Sequence, residues 1–252
     1  MKSSRTRKLA ANALAVTALT APAILMAQQR STDQTNSVLL VSVKQDALDE
    51  WTNLVKTEVL PALKKAGIPS VQTYQTVLGN GAEFSFVSPL DKMANLDLPP
   101  VFERALGKEA GAQLLSKLRK CTMFSRSYLA TTVASLSNPA PKGKALPLRV
   151  YARYRVAPGK AGEYEAVIKN EILPAYKKAG VYFTYSRRGL GAPGAGEVLL
   201  ITQAENFAAL EGGPPARRIL GEEGYAKMQA RLAGLRTPVD TIVRRLRPDL
   251  SF

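Results

Sequence analysis

The sequence predicts an α+β protein made of two consecutive copies of one β-α-β-β-α-β unit. Three observations support this fold class: a ten-residue run recurs, each half shows the same order of strand-like and helix-like apolar patterns, and a Pro- and Lys-containing stretch separates the halves. We predict a first unit at 36–136, a linker at 137–146 and a second unit at 147–248.

The internal repeat is clearest in the run Glu-Val-Leu-Pro-Ala-Leu-Lys-Lys-Ala-Gly at 58–67. Its counterpart at 171–180 reads Glu-Ile-Leu-Pro-Ala-Tyr-Lys-Lys-Ala-Gly. Further along, Thr73-Tyr74 aligns with Thr184-Tyr185, so we expect Tyr74 and Tyr185 to be equivalent. Because the matches stay in order and the offset drifts by only a few residues, the sequence predicts a tandem duplication.

The first strand and first helix of each unit follow from periodicity. Residues 37–43 are almost wholly apolar, whereas 149–156 alternates apolar side chains with Arg149, Tyr151, Arg153 and Arg155. Apolar residues at helical spacing come next, and each of these helices ends at a Gly suited to a C-cap. Prolines inside the helical pattern, Pro61 and Pro174, should kink its last turns.

A hairpin, a second helix and a closing strand complete each unit. We predict them at 71–78, 83–87, 100–119 and 122–133, and again at 182–188, 197–202, 215–235 and 237–246. This is the split β-α-β order of ferredoxin-like folds. A four-stranded antiparallel sheet with both helices on one face leaves its other face bare. The sequence therefore predicts that the sheets of two tandem ferredoxin-like units pair into an α/β barrel, a pseudo-dimer within one chain; a homo-oligomer of the whole chain is left open.

The βαββαβ order, with Trp51 and Tyr164 on first helices that end in Lys-Lys-Ala-Gly, resembles the dimeric α/β-barrel superfamily. Within it, the sequence is similar to the NIPSNAP-like and antibiotic-biosynthesis-monooxygenase-like branches, over 36–135 and 147–247. The resemblance implies the barrel fold and a family of cofactor-free oxygenases, haem-handling enzymes and lyases. Family members that degrade haem or decompose chlorite rely on a histidine, and this chain has none.

The first 27 residues have the pattern of a secretory signal peptide. A basic head that includes Lys2 and Arg5 precedes an uncharged run at 9–27, in which Ala21, Ala23 and Ala27 offer cleavage sites. A cut after Ala27 leaves a polar new N-terminus. We therefore predict export to the periplasm or the extracellular space, with no stable membrane insertion after cleavage and no nucleic-acid partner. An uncleaved membrane anchor is the alternative.

Composition excludes several classes of chemistry. The absence of His removes Ser-His-Asp and Cys-His catalysis and the commonest zinc sites, and we predict no metal and no cofactor. The single cysteine, Cys121, is expected in the core. We predict a small anionic or aromatic ligand as partner. The net charge of +15 favours anionic partners such as envelope polymers, lipid headgroups or acidic small molecules, and the alternative is that Lys and Arg merely coat a solvated surface.

The predicted site combines guanidinium groups with phenols on the strands of the second unit. Guanidinium forks bind planar oxyanions in a bidentate manner, so these residues would hold a carboxylate, phosphate or enolate. The predicted ligand-binding residues are Tyr151, Arg153, Arg155, Tyr185 and Arg188. The alternatives are that the arginines face water and that Tyr185, like Tyr74, is a half-buried packing residue.

Three functions are compatible with these features. The first is an exported protein that binds a small acidic or aromatic ligand in a barrel cavity without catalysis. The alternative is a cofactor-independent, monooxygenase-like enzyme acting on a small aromatic or enolisable substrate. A protein–protein interaction module that assembles through its outer helices is the third.

Overall fold

A computed structural model describes residues 33–252 except 142, 143, 145 and 195. The predicted signal peptide at 1–27 lies outside these residues, as does part of the predicted linker. The described strands are β1 (Gln34–Val43), β2 (Gln72–Leu78), β3 (Glu83–Pro89), β4 (Thr122–Thr132), β5 (Leu148–Val156), β6 (Phe183–Arg188), β7 (Glu197–Ala204) and β8 (Arg236–Leu246).

Helices follow the first and third strands of each half. They are α1 (Leu48–Leu54), α2 (Leu60–Lys65), α3 (Val101–Leu106), α4 (Lys108–Cys121), α5 (Ala161–Val167), α6 (Leu173–Lys178) and α7 (Pro215–Leu232). The single helix predicted at 100–119 is wrong in one respect: Gly107, with φ of 86°, separates α3 from α4. The helix predicted at 215–235 is interrupted in the same way, because Gly221, with φ of 68°, puts a kink in α7. Within the described residues, every helix is too short or too polar to cross a membrane.

The prolines of the repeated run widen the helix rather than break it. A π-helical turn at Val55–Val59 joins α1 to α2, and another at Ile168–Ile172 joins α5 to α6. Pro61 and Pro174 follow these turns. A proline lacks the N–H of an i→i−4 bond and its ring crowds the carbonyl one turn earlier, and a wider turn relieves both effects.

The eight strands form a closed antiparallel barrel in the order β1-β3-β2-β8-β5-β7-β6-β4. Two seams close it: β2 pairs with β8, and β4 pairs with β6. The α+β class and the predicted α/β barrel are confirmed. Closure pairs both edges of each of these eight strands, which removes a template for aggregation.

The helices pack on the outside of the barrel. The ring of Trp51 in α1 packs at a tilt against Phe84 of β3 with centroids 4.5 Å apart, and Tyr164 of α5 packs near Tyr185 of β6 in the other helical layer. Both layers are apolar, and Cys121 is buried in the first of them, as predicted. Side chains alternate along each strand, so the residues next to those that face the helices point into the barrel.

The segments after β4 and β8 cross the seams. Leu136 packs in the core under α5 to α7, whereas Leu250 packs in the core under α1 to α4. Backbone bonds fix both crossings: Asn138 exchanges two with Phe183, and Phe252 exchanges two with Val71. These contacts lock the two halves of the barrel together.

Candidate functional site

Two cavities occupy the interior of the barrel, and all eight strands contribute to the lining of each. The first has a volume of about 190 Å³ and is lined by Leu40, Thr76, Asn80, Glu83, Tyr128, Tyr151, Arg153, Arg188, Leu199, Asp240, Ile242 and Arg244. The second, of about 260 Å³, is lined by Gln34, Asn36, Val38, Gln72, Ser85, Val87, Tyr128, Ala130, Thr132, Arg149, Tyr151, Thr184, Ser186, Leu199, Ile201 and Arg244.

The cavities meet at a shared layer formed by Tyr128, Tyr151, Leu199 and Arg244. In this layer the guanidinium carbon of Arg244 lies 4.9 Å from the ring centre of Tyr151. The guanidinium carbon of Arg188 lies 4.3 Å from the ring centre of Tyr128. Guanidinium groups over aromatic faces are held in fixed orientations, so the layer is a preorganised set of donors.

Burial raises the pKa of the Tyr128 phenol, although the nearby guanidinium groups of Arg188 and Arg244 lower it in part. The phenol therefore stays protonated at neutral pH. It can donate a hydrogen bond to an oxyanion rather than act as a base.

Carboxylates accompany the arginines of the first cavity. Arg244 donates to Glu83 and, at 3.2 Å, to the hydroxyl of Thr76. Arg153 is bidentate to Asp240. These pairs neutralise the guanidinium groups and hold their side chains against the barrel wall.

Glu197 is the buried anchor of the second half. Its carboxylate accepts a hydrogen bond from Arg188, and both side chains are at most 3% exposed. Arg155 reaches the same carboxylate at 3.2 Å, and Arg153 at 3.6 Å. Glu197 and Asp240 together offset two of these three positive charges, and the third belongs to Arg155, which is largely exposed to solvent.

Of the five predicted site residues, three come together. Tyr151, Arg153 and Arg188 line the first cavity, as the alternation on β5 indicates for the first two. Arg155 shares the parity of Arg153 but lies near the end of β5, where 59% of its side chain is exposed. Arg155 lines neither cavity, so the structure does not bring it into the predicted pocket.

The prediction is wrong for Tyr185. Its ring is buried under α5, outside the barrel, and its hydroxyl donates to Glu165 at 3.0 Å. Tyr74, its predicted equivalent, points inward and lies under the guanidinium of Arg149 at 4.5 Å. The two tyrosines therefore occupy opposite faces of the barrel wall.

Strand register explains this error. Tyr74 pairs with the residue two positions after Glu83, namely Ser85. In the second half, the residue two positions after Glu197 is Leu199, and it pairs with Ser186. A shift of one residue reverses the side of the sheet, so the true counterpart of Tyr74 is Ser186.

Sequence reasoning left five residues out of the site: Glu83, Tyr128, Arg149, Glu197 and Arg244. Arg149 could have been found, because it shares the parity of Tyr151 on β5. The two glutamates follow turns and match each other across the repeat, which was a usable signal. The sequence gives no signal for Tyr128, because polar and apolar residues do not alternate cleanly along β4.

The residues present do not suit a haem. The chain has no histidine, and its one cysteine is buried in the outer helical layer. The larger cavity, at about 260 Å³, is below the range of roughly 300–1,000 Å³ that drug-sized ligands occupy. Within the described residues no group of three or more metal-ligating side chains is found.

A closed barrel of eight antiparallel strands with helices outside is a fold of the dimeric α/β-barrel type. Searches for similar proteins match no family model and no curated protein. Solved structures do match. An anthrone oxidase-like protein aligns with a TM-score of 0.54 and 12% identity, covering 85% of this chain and 91% of its own.

Two further structures share this arrangement. A candidate monooxygenase from Lactobacillus acidophilus aligns with a TM-score of 0.51 and 10% identity, covering 86% of this chain and 95% of its own. Chlorite dismutase from Candidatus Nitrospira defluvii aligns with a TM-score of 0.50 and 10% identity, covering 86% and 92%. At such low identity these likenesses show the fold.

The comparisons also correct the first functional prediction. A barrel that binds its ligand without catalysis is contradicted, because these structural neighbours are described as oxygenases, as oxidase-like or as chlorite dismutase. The reaction itself has to be argued from this chain's own residues.

Proposed function

We propose that the protein is a cofactor-independent oxygenase that acts on a small aromatic or enolisable substrate inside the barrel. One observation carries the proposal: Arg244, the phenol of Tyr151 and the carboxylate of Glu83 converge on the first cavity. These groups can remove a proton from a substrate and stabilise the anion that results. That is the chemistry such a substrate needs before it reacts with O₂.

The substrate in this proposal contains a CH₂ group between two arms of a conjugated system that includes a carbonyl. Loss of one proton from that carbon gives an enolate, and Arg244 and Tyr151 stabilise the charge that develops on its oxygen. The enolate carbon then transfers electrons to O₂ and forms a C–O bond. Protonation of the peroxide and loss of water give a ketone, so R₂CH₂ and O₂ yield R₂C=O and H₂O.

Glu83 is the proposed base. Its side chain is 26% exposed, whereas that of Arg244 is only 5% exposed, so the carboxylate faces the open part of the cavity. Pairing with Arg244 fixes the position of the Glu83 carboxylate, whose remaining lone pairs are free to accept a proton from the substrate. When the proton moves to Glu83, the negative charge moves to the enolate, and the same arginine can then stabilise that charge.

The experiment is oxygen uptake with anthrone as the probe, in the presence of a metal chelator. Anthrone has three fused rings, so it would extend across the shared layer into both cavities. We expect one O₂ consumed for each anthraquinone formed. Tyr151→Phe removes one donor to the developing oxyanion and should lower kcat by about 10²-fold. Tyr154→Phe, on the outer face of the same strand, should keep the wild-type rate. Uptake no faster than in buffer, or equal rates for the two variants, would refute the proposal.

We infer that the chain arose by tandem duplication of a ferredoxin-like unit. The sequence repeat supports this, and so do the matching strand orders β4-β1-β3-β2 and β8-β5-β7-β6 within the barrel. The π-helical turns before Pro61 and Pro174 support it further. Membership of the NIPSNAP-like branch stays a prediction.

We also propose that the protein is exported, with its signal at 1–27. Mass spectrometry of the mature N-terminus in secreted and cell-associated fractions tests this. A chain that retains residues 1–27 and stays in the cytoplasm would contradict it.

A further inference from the structure

Arg149 brings a positive charge into the second cavity. It lies on β5 beside Tyr151, two residues along the same face, and lines the cavity wall. Its guanidinium lies over the ring of Tyr74 at 4.5 Å. Among the described residues its side chain has neither a carboxylate partner nor a hydrogen bond, and its buried Nε–H is left unsatisfied.

The other arginines that line the cavities are neutralised. Arg153 pairs with Asp240, Arg188 with Glu197, and Arg244 with Glu83. Arg149 faces Arg244 on the neighbouring strand, where the Glu83 carboxylate offsets only one of the two charges. A partly buried cation without a partner costs free energy, so such a position indicates a missing anion.

The rest of the second cavity supplies no anion of its own. Its lining contains no Asp or Glu, although it includes hydroxyls and carboxamides such as those of Ser85, Ser186 and Gln72. An apolar wall stands among them, formed by Val38, Val87, Leu199 and Ile201. The cavity thus combines one unpaired guanidinium with an apolar surface.

We propose that Arg149 binds the carboxylate of an aromatic acid and that the apolar wall holds its ring. The guanidinium fork matches a carboxylate in two parallel hydrogen bonds. A cavity of about 150 Å³ accepts benzene. The second cavity, at about 260 Å³, therefore suits a body of one or two rings.

This site would bind the substrate of the proposed oxygenase. That the bound acid is a substrate rests on the proposed function. Because the two cavities share Tyr151 and Arg244, an acid anchored at Arg149 extends toward the residues proposed to act on it. The substrate class is then an aromatic or enolisable compound that carries a carboxylate remote from its reactive carbon.

Binding is tested with 2-naphthoate and its neutral isostere 2-naphthamide, measured by calorimetry on the wild-type protein. We expect the acid to bind at least about tenfold more tightly, which corresponds to about 1.4 kcal/mol. Arg149→Met should reduce that preference to less than about twofold, whereas Arg149→Lys should keep part of it. The control is Arg245→Met, since Arg245 lies on the outer face of β8 over Phe207 and should leave the preference intact.

Equal affinity of the wild-type protein for the two probes would overturn the assignment, and so would a preference that survives Arg149→Met. The wild-type comparison decides the point even if a variant fails to fold. Neither probe reacts with O₂, so the result is independent of the proposed oxygenase. If the protein prefers 2-naphthoate but shows no oxygen uptake with anthrone, only the proposed oxygenase reaction is refuted. If it shows oxygen uptake with anthrone but binds the two probes equally, only the carboxylate site is refuted.

Discussion

Arg244 of β8 and Glu83 of β3 form an ion pair that spans the intervening strand β2 inside the barrel. The pair crosses the seam between the two halves of the chain, with Glu83 in the first cavity and Arg244 in the layer that the two cavities share. It therefore links closure of the barrel to the chemistry proposed for its interior.

Glu83→Gln should destabilise the protein and impair its activity. The change leaves the buried guanidinium of Arg244 without a carboxylate, which we expect to cost about 1–3 kcal/mol in the free energy of unfolding. Urea denaturation measures this. The control is Glu163→Gln, where the side chain is 58% exposed and its partner is a surface lysine, so the loss should stay within about 0.5 kcal/mol. Equal losses for the two variants would show that the buried pair contributes nothing.

Tyr185→Phe should affect stability but not activity. The hydroxyl of Tyr185 donates to Glu165 on the outer side of the wall, and Arg187 still pairs with that carboxylate when the hydroxyl is removed. We expect a loss of about 1 kcal/mol in urea unfolding and an unchanged rate of oxygen uptake. A large fall in the rate of oxygen uptake with unaltered stability would show that Tyr185 belongs to the functional site.

Stability should fall as the pH rises above about 10. Burial raises the pKa of Tyr164 and of Tyr176 to about 12, against an ordinary value of about 10. Between these values the unfolded chain loses the phenol protons while the folded chain keeps them. Each tyrosine then lowers the free energy of unfolding by up to about 1.4 kcal/mol per pH unit. Below pH ~10 neither tyrosine contributes to the pH dependence.

Tyr176→Phe tests this alkaline dependence directly. Urea unfolding at a series of pH values from 8 to 12 should show a shallower decline for the variant than for the wild type above pH ~10. The two curves should run parallel below that pH. Parallel curves across the whole series would mean that Tyr176 ionises alike in the folded and unfolded chains.

Gly191→Ala should weaken the β4–β6 seam. Gly191 has φ of 81°, and an added Cβ would lie 2.6 Å from the backbone oxygen of Ser127. We expect a loss of about 1–3 kcal/mol by thermal or urea unfolding. Gly162→Ala, in the first turn of α5 with open space around it, should instead stabilise the protein by up to about 1 kcal/mol. A neutral result at Gly191 would argue against this closure of the barrel.

The sequence was most informative where periodicity is strict. The alternation on β5 predicted that Tyr151 and Arg153 share one face with Arg149, and the barrel directs that face inward. Closure could also be expected, because an antiparallel sheet with helices on one side needs cover for the other.

Register and pairing lay beyond the sequence. The Thr-Tyr match suggested that Tyr74 and Tyr185 are equivalent, yet a one-residue offset places them on opposite faces. Which arginines would be neutralised could not be predicted either, since Glu83 meets Arg244 only through the seam between distant segments. The same limit hid the unpaired state of Arg149.

Anaerobic mixing of the wild-type protein with anthrone tests the central proposal most directly. We predict that the absorption band of the anthrone anion forms at neutral pH in the absence of O₂, and that admitting O₂ replaces it with anthraquinone in equal amount. If no anion forms with the wild-type protein, and anthraquinone appears no faster than in buffer, then the barrel interior does not perform this reaction.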